Sequence, residues 1–166
     1  SAFDRPVERV LVMRLDQLGD LSASMPAIRR LRELFPNAHF EGLVTPVNAY
    51  VLRACGFFDE VFTVDFTYDH GTRKRWLGRG AHAALKRRYG QEPVDIAIDL
   101  SPGDDSRPVL TLINARYRAG FKPHRFDFLD FGVDLLTRDP VNRREAVSHT
   151  AMISGFVEAL AAVFRP

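Results

Sequence analysis

Short apolar runs alternate with amphipathic stretches along the chain. Residues 9–14, Arg-Val-Leu-Val-Met-Arg, are a β-branched apolar run after Pro6 and predict a buried strand. Residues 22–34 carry Ala27, Ile28, Leu31 and Leu34 at helical spacing, with Arg29, Arg30, Arg32 and Glu33 outward. This predicts a helix with Pro26 in its first turn and Pro36-Asn37 as its stop. A second strand is predicted at 39–44, a short helix at 46–54 closed by Gly56, and a third strand at 61–64. Residues 72–89 read as mostly helix, with a first part opened into loop by Gly78 and Gly80. A fourth strand at 94–100 is apolar except for Asp95 and Asp99. A helix over 106–114, a fifth strand over 117–121, a further short strand at Leu135-Leu136 and a long last helix over 144–164 complete the series.

This alternation predicts an α/β domain: a mainly parallel sheet with helices on both faces and right-handed crossovers. Such sheets bind ligands outside the carboxyl ends of their strands. The segments expected to hold a site are therefore 15–20, 45–48, 65–76, 101–107 and 122–125.

Composition narrows the class. The chain has 166 residues, 46% hydrophobic and 27% charged, which suits a single globular core rather than disorder. No apolar run is long enough to span a membrane, and residues 1–14 show no signal-peptide pattern. The one cysteine, Cys55, rules out an internal disulfide framework, fits a reducing compartment and is expected to be a buried small hydrophobe. A net charge of +2 is too weak to argue for nucleic acid. Its distribution says more: residues 71–90 hold Arg73, Lys74, Arg75, Arg79, Lys86, Arg87 and Arg88 and no acid, a stretch on which an anion could dock.

The first strand-to-helix turn, Arg14-Leu-Asp-Gln-Leu-Gly-Asp20, has neither the Gly-x-Gly-x-x-Gly dinucleotide fingerprint nor a Walker phosphate loop. Gly19 permits close backbone approach. Asp20 has two readings: an N-cap carboxylate, or a carboxylate at the ligand edge, kept ionised by the helix N-terminus and able to accept a proton from a hydroxyl. The five histidines form no His-x-His or His-Glu-x-x-His pattern, so no zinc site is expected. No two aspartates are separated by one residue, which points away from an Asp-x-Asp metal motif. Trp76 reads either as a sugar-stacking platform or as an exposed or half-packed anchor, and Phe57, Phe58, Phe62, Phe66 and Tyr68 as core and edge packing.

Several segments, in order, carry a family resemblance. They are Val12-Met-Arg-Leu-Asp-Gln-Leu-Gly-Asp20 followed by Ser24-Met-Pro-Ala-Ile-Arg-Arg-Leu, then Phe58-Asp-Glu-Val61, Val94-Asp-Ile-Ala-Ile-Asp-Leu100, Ala115-Arg-Tyr-Arg-Ala-Gly-Phe121 and His149. Over about residues 9–160 the chain resembles glycosyltransferase family 9, the bacterial lipopolysaccharide heptosyltransferases. The resemblance implies a GT-B architecture of two Rossmann-like domains facing across a cleft. Residues 1–166 would be the N-terminal, acceptor-binding one, without the C-terminal donor-binding domain. It implies an inverting, metal-independent enzyme with no cofactor. The donor would be a nucleotide sugar such as ADP-heptose, bound mainly by the other domain. The acceptor would be an anionic lipid-linked saccharide, met in the cytoplasm at the inner membrane.

By the same resemblance Asp20 is the catalytic base, with Gly19 as loop backbone near the substrates. Asp16 is either a second candidate for that role or a solvated loop acid. Arg73, Lys74, Arg75 and Trp76 match a basic, tryptophan-containing acceptor contact, and arginine forks suit carboxylates and phosphates. Arg107 matches a basic residue before the helix after the fourth strand, although Pro102, Asp104 and Asp105 depart from the family pattern there. Arg125, with His124, falls at the ligand edge after the fifth strand. Arg79, Lys86, Arg87 and Arg88 are either plain surface charge or a patch facing an anionic leaflet. The isolated chain is expected to fold without transferase activity. The alternative is a stand-alone, non-catalytic module that binds an anionic sugar or lipid head group.

Overall fold

Strand β1 (Arg9–Arg14) is buried from Val10 to Arg14, as an apolar run covered on both faces should be. Successive strand side chains alternate, so Val10 and Val12 enter one packed layer while Leu11 and Met13 enter the other. The computed structural model describes residues 2–15, 18–134 and 148–164, without the side chains of residues 18–20, 74 and 75. After β1 come α1 (Leu18–Leu34), β2 (His39–Val44), a 3-10 turn (Pro46–Asn48) that runs into α2 (Ala49–Ala54), and β3 (Glu60–Thr63). Then follow β4 (Phe66–Asp69), β5 (Lys74–Leu77), α3 (Arg79–Tyr89) and β6 (Val94–Asp99). A 3-10 segment (Arg107–Leu112), β7 (Ala115–Phe121), a 3-10 turn (Pro123–Arg125), β8 (Phe131–Val133) and α4 (His149–Phe164) complete the described chain.

Among the described residues six strands form one sheet in the order β3-β2-β1-β6-β7-β8, every neighbouring pair parallel. Counted among themselves, these strands run 3-2-1-4-5-6, the Rossmann order. One face is covered by α1, α2 and α4 through Leu21, Ile28, Leu31, Leu52, Phe156 and Leu160. The other is covered by α3 and the Arg107–Leu112 segment through Leu85, Tyr89, Val109 and Leu110. The fold is the expected doubly wound α/β, Rossmann-like. Gly42 lets α2 approach the sheet: a Cβ there would lie 2.7 Å from Leu52 Cδ2. Among the described residues no helix is long and apolar enough to cross a membrane.

The structure departs from the periodicity in several places. α1 begins at Leu18, so Pro26 lies inside it, where it cannot donate an i to i−4 hydrogen bond, and not in the first turn. Residues 66–77 are an antiparallel hairpin, so the first part of the 72–89 segment, expected as loop, holds strand β5, and the helix begins at Arg79. Among its described side chains Phe66 and Leu77, paired across it, anchor the hairpin to the core, which is too little apolar signal to read as alternation. Residues 107–112 wind as a 3-10 helix and not an α-helix. The predicted strand at Leu135-Leu136 lies outside the described residues, as do residues 144–147 of the predicted last helix; β8 pairs with β7 just before them. Gly56, at φ +79, follows α2 as expected, but Cys55 is half-buried, its Sγ donating to Leu52 O at 3.1 Å.

Candidate functional site

β1 and β6 are neighbours in the middle of the sheet, yet α1 carries the chain from β1 toward β2 and the 3-10 segment carries it from β6 toward β7. The two connections diverge beyond the carboxyl ends of the strands, and sheets of this order bind ligands in the crevice so formed. Its floor is built from buried charge. Arg14, 1% exposed, donates from Nη1 to Leu100 O at 2.8 Å. Asp99 is fully buried, its Oδ1 accepting from Ser101 N at 3.0 Å and its Oδ2 from Ser106 Oγ at 2.8 Å.

Arg107 is also fully buried, with Nε 3.1 Å from Asp99 Oδ2. Its Nη1 donates to Phe121 O at 2.8 Å, and its Nη2 donates to Gly103 O at 3.0 Å and to Ser101 O. The guanidinium carbon sits 5.3 Å from the centroid of the Phe126 ring. A buried charge is tolerated when it is paired and hydrogen-bonded, and here one ion pair ties together the end of β6, the loop after it and the end of β7. Gly120 makes room, since a Cβ on it would come within 2.6 Å of Arg107 Cδ and Nε. Arg107, expected as an acceptor contact, is thus fully buried, its side chain engaged with the end of β6, the loop after it and the end of β7.

The rim of the crevice carries the exposed residues. Asp104 accepts from Lys122 Nζ at 3.0 Å and from Arg125 Nη1, so this one acid holds two cations of the next loop. Arg125 is exposed and stands at the predicted edge. Lys122 holds a left-handed φ of 56°, and His124 Nδ1 lies 3.3 Å from Asp134 Oδ2. On the other side, Gly19 and Asp20 occupy the first turn of α1, where the partial positive charge of the helix end favours an acid. This places Asp20 within the helix, past the cap position. Its side chain is outside the described set, and Asp16 lies outside the described residues.

The hairpin follows β3 and so leaves from the same edge of the sheet. Its turn is closed by Gly71 N donating to Asp69 Oδ1 and Arg73 N donating to Asp69 O, both at 2.8 Å. Arg73 is exposed with φ 58°. Trp76, opposite Thr67, is 62% exposed, as either a stacking platform or an exposed anchor would be. The backbones of Lys74 and Arg75 lie on β5, and their side chains are outside the described set.

The basic stretch does not stay together. α3 runs back toward the amino ends of the strands and carries Lys86, Arg87 and Arg88 with it. Arg88 pairs there with Glu60 at the start of β3 and lies 5.7 Å from the Phe62 ring centroid. The strip expected from residue 73 to 88 is therefore divided: Arg73 sits on the hairpin that follows β3, and Lys86, Arg87 and Arg88 lie on the last turn of α3. An open cavity of about 830 Å³, lined by Phe3, Val7, Phe35 and Pro36, also sits at the amino edge, away from the crevice.

Sequence reasoning passed over Arg14, Asp99, Thr45 and Asn48, all buried polar residues at or just beyond the carboxyl ends of strands. Asp99 had a usable signal: an acid within an apolar strand must meet a partner.

No family model matches the chain, and no curated protein matches it in sequence. Solved structures do. A glycosyl transferase family 9 protein from Veillonella parvula DSM 2008 matches with a TM-score of 0.69 at 20% identity, over 94% of this chain and 42% of that one. The E. coli heptosyltransferase WaaC with ADP matches with a TM-score of 0.66 at 16% identity, over 91% of this chain and 47% of that one. The E. coli ADP-heptose lps heptosyltransferase II matches with a TM-score of 0.58 at 19% identity, over 90% of this chain and 40% of that one. The chain shares their fold. It spans less than half the length of each of these proteins.

Proposed function

We propose that this chain is the acceptor-side half of a heptosyltransferase-like glycosyltransferase. The observation that carries the reading is the parallel 3-2-1-4-5-6 sheet with Gly19 and Asp20 in the first helical turn over its switch point, in a fold shared with three transferases. Asp20 is the base. It accepts the proton of an acceptor hydroxyl as that oxygen bonds to the anomeric carbon of heptose. The bond from that carbon to the diphosphate breaks with inversion, and the nucleoside diphosphate leaves.

The nucleotide sugar, ADP-heptose or a relative, is held mainly by a second domain, where cationic side chains and a helix N-terminus rather than a metal ion stabilise the leaving diphosphate. The exposed hairpin with Arg73, Lys74, Arg75 and Trp76, together with Arg125 across the crevice, receives an anionic lipid-linked saccharide at the cytoplasmic face of a membrane. Arg107 takes part only by holding the loop.

The test is Asp20→Asn in the full-length protein. Transfer from ADP-heptose should be lost while acceptor binding persists; unchanged turnover would remove Asp20 from the base role. The isolated chain should bind acceptor without turnover, and measurable transfer by it alone would overturn the assignment of the donor site elsewhere.

A further inference from the structure

Among the described residues five large apolar side chains stand exposed: Val47, Tyr50, Tyr68, Trp76 and Val163. Single exposed apolar residues are ordinary, but these are not scattered. Four of the five lie on the connections that leave β2 and β3, and Val163 alone lies elsewhere, late in α4. β2 and β3 are parallel neighbours, and Val64 N donates to Val44 O at 3.1 Å. The two connections therefore start side by side at the ligand edge.

Each connection buries other residues and turns these outward. In the 3-10 turn and α2, Asn48, Ala49 and Leu52 are buried, while Val47, Tyr50 and Arg53, three apart, face solvent. In the hairpin Phe66 and Leu77 take the core contacts and leave Tyr68 and Trp76 exposed. Charge is an independent observation. Residues 45–54 and 65–77 carry Arg53, Arg73, Lys74 and Arg75 against Asp65 and Asp69, with no glutamate. Asp69 is engaged inside the hairpin turn, where it accepts from Gly71 N. Exposed Trp and Tyr rings beside Arg and Lys suit the headgroup level of a bilayer, with the rings at the apolar boundary and the cations on lipid phosphates.

We propose that this face, formed by Val47, Tyr50 and Arg53 with Arg73 and Trp76 of the hairpin, lies against an anionic phospholipid bilayer. Apolar contact and electrostatic attraction add there, as they do for other interfacial segments. The purpose of the contact rests on the acceptor reading above: a lipid-linked saccharide is met at the surface that holds its lipid. Sequence order hides the face, because residues 47–53 and 73–76 are brought together only by the pairing of β2 with β3.

The experiment is co-sedimentation of the chain with vesicles of phosphatidylglycerol in phosphatidylcholine. The emission of Trp76, the one tryptophan of the chain, is the second readout. Binding should shift that emission to the blue, weaken as salt is raised and fall away on phosphatidylcholine alone. Arg53→Gln should weaken binding by roughly fivefold, one cation's share, and Tyr50→Asp by roughly tenfold or more. Both positions are exposed, so the unfolding temperature should not move. Absence of binding, or binding indifferent to both substitutions, overturns the proposal. So does self-association of the lipid-free chain that Tyr50→Asp abolishes, which makes the face a contact between copies. Full competition by soluble glycerol phosphate also overturns it, since that reduces the contact to headgroup capture. The acceptor reading is tested apart. In the full-length protein Tyr50→Asp should slow transfer to acceptor held in vesicles and leave transfer to a lipid-free acceptor unchanged. Asp20→Asn should lose both transfers and still bind vesicles.

Discussion

Replacing Arg107 by methionine keeps most of the side-chain volume and removes the charge. Asp99 loses the cation 3.1 Å from its Oδ2, and the carbonyls of Ser101, Gly103 and Phe121 lose their donor in a region closed to solvent. Breaking a buried pair by removing one partner costs about 3–5 kcal/mol, because a charge stays buried without compensation. Against a domain stability of about 5–15 kcal/mol this is a large fraction. For a chain of this size each kcal/mol lowers the midpoint by about 2–4 °C, so the thermal transition should fall by roughly 6–20 °C.

Arg125→Met is the matched control. Arg125 also pairs with an acid, Asp104, but at the exposed rim, where such pairs contribute about 0–1 kcal/mol. Urea unfolding followed by circular dichroism measures both variants. Asp99→Asn in the Arg107→Met background should recover part of the loss, because the uncompensated charge is then gone. A loss for Arg107→Met no larger than that for Arg125→Met would refute the reasoning, and with it the claim that this ion pair organises the loop.

Gly120→Ala drives a Cβ to within 2.6 Å of the same guanidinium stem, which four neighbours hold in place, and should cost about 1–3 kcal/mol in the same urea assay. Burial, and next Glu41, push the Tyr89 hydroxyl up from its ordinary value of 10.0. The folded chain then keeps that proton where the unfolded chain releases it. The resulting stability is complete below pH 10 and falls as pH rises beyond it, and Tyr89→Phe should flatten that part of the alkaline stability profile. Trp76→Ala should change stability by no more than about 0.5 kcal/mol, since the ring is exposed, while weakening acceptor binding by the full-length protein. An equal loss of stability and binding would make Trp76 a packing residue.

The central strands were legible because burial on both faces leaves a continuous apolar run. β1 and β2 have the predicted bounds, and β6 ends one residue early, at Asp99. The long helix after β1 was legible in its body, where the apolar stripe is regular, but not in its first turn. Leu18, Gly19 and Asp20 belong to the helix although Gly19 and Pro26 argue for a later start. The hairpin escaped because strand pairing, which is nonlocal, stabilises a segment whose own residues are mostly polar or basic. Arg107 and Arg125 look alike as basic residues following strands, yet one is sealed against Asp99 and the other stands at the rim. Nothing local separates them.

The order of apolar runs and helical stripes by itself determined a wound α/β domain and the edge of the sheet at which ligands meet it. That follows because periodicity and chain direction are local properties, and the handedness of the crossovers is common to all such sheets. Strand order, register and the depth of each polar side chain were decided only by the tertiary structure. They carried part of one basic stretch away along α3, buried Arg107 against Asp99, and set Glu60 beside Glu41. Each depends on which distant segment becomes a neighbour, and that is settled by how the whole core packs.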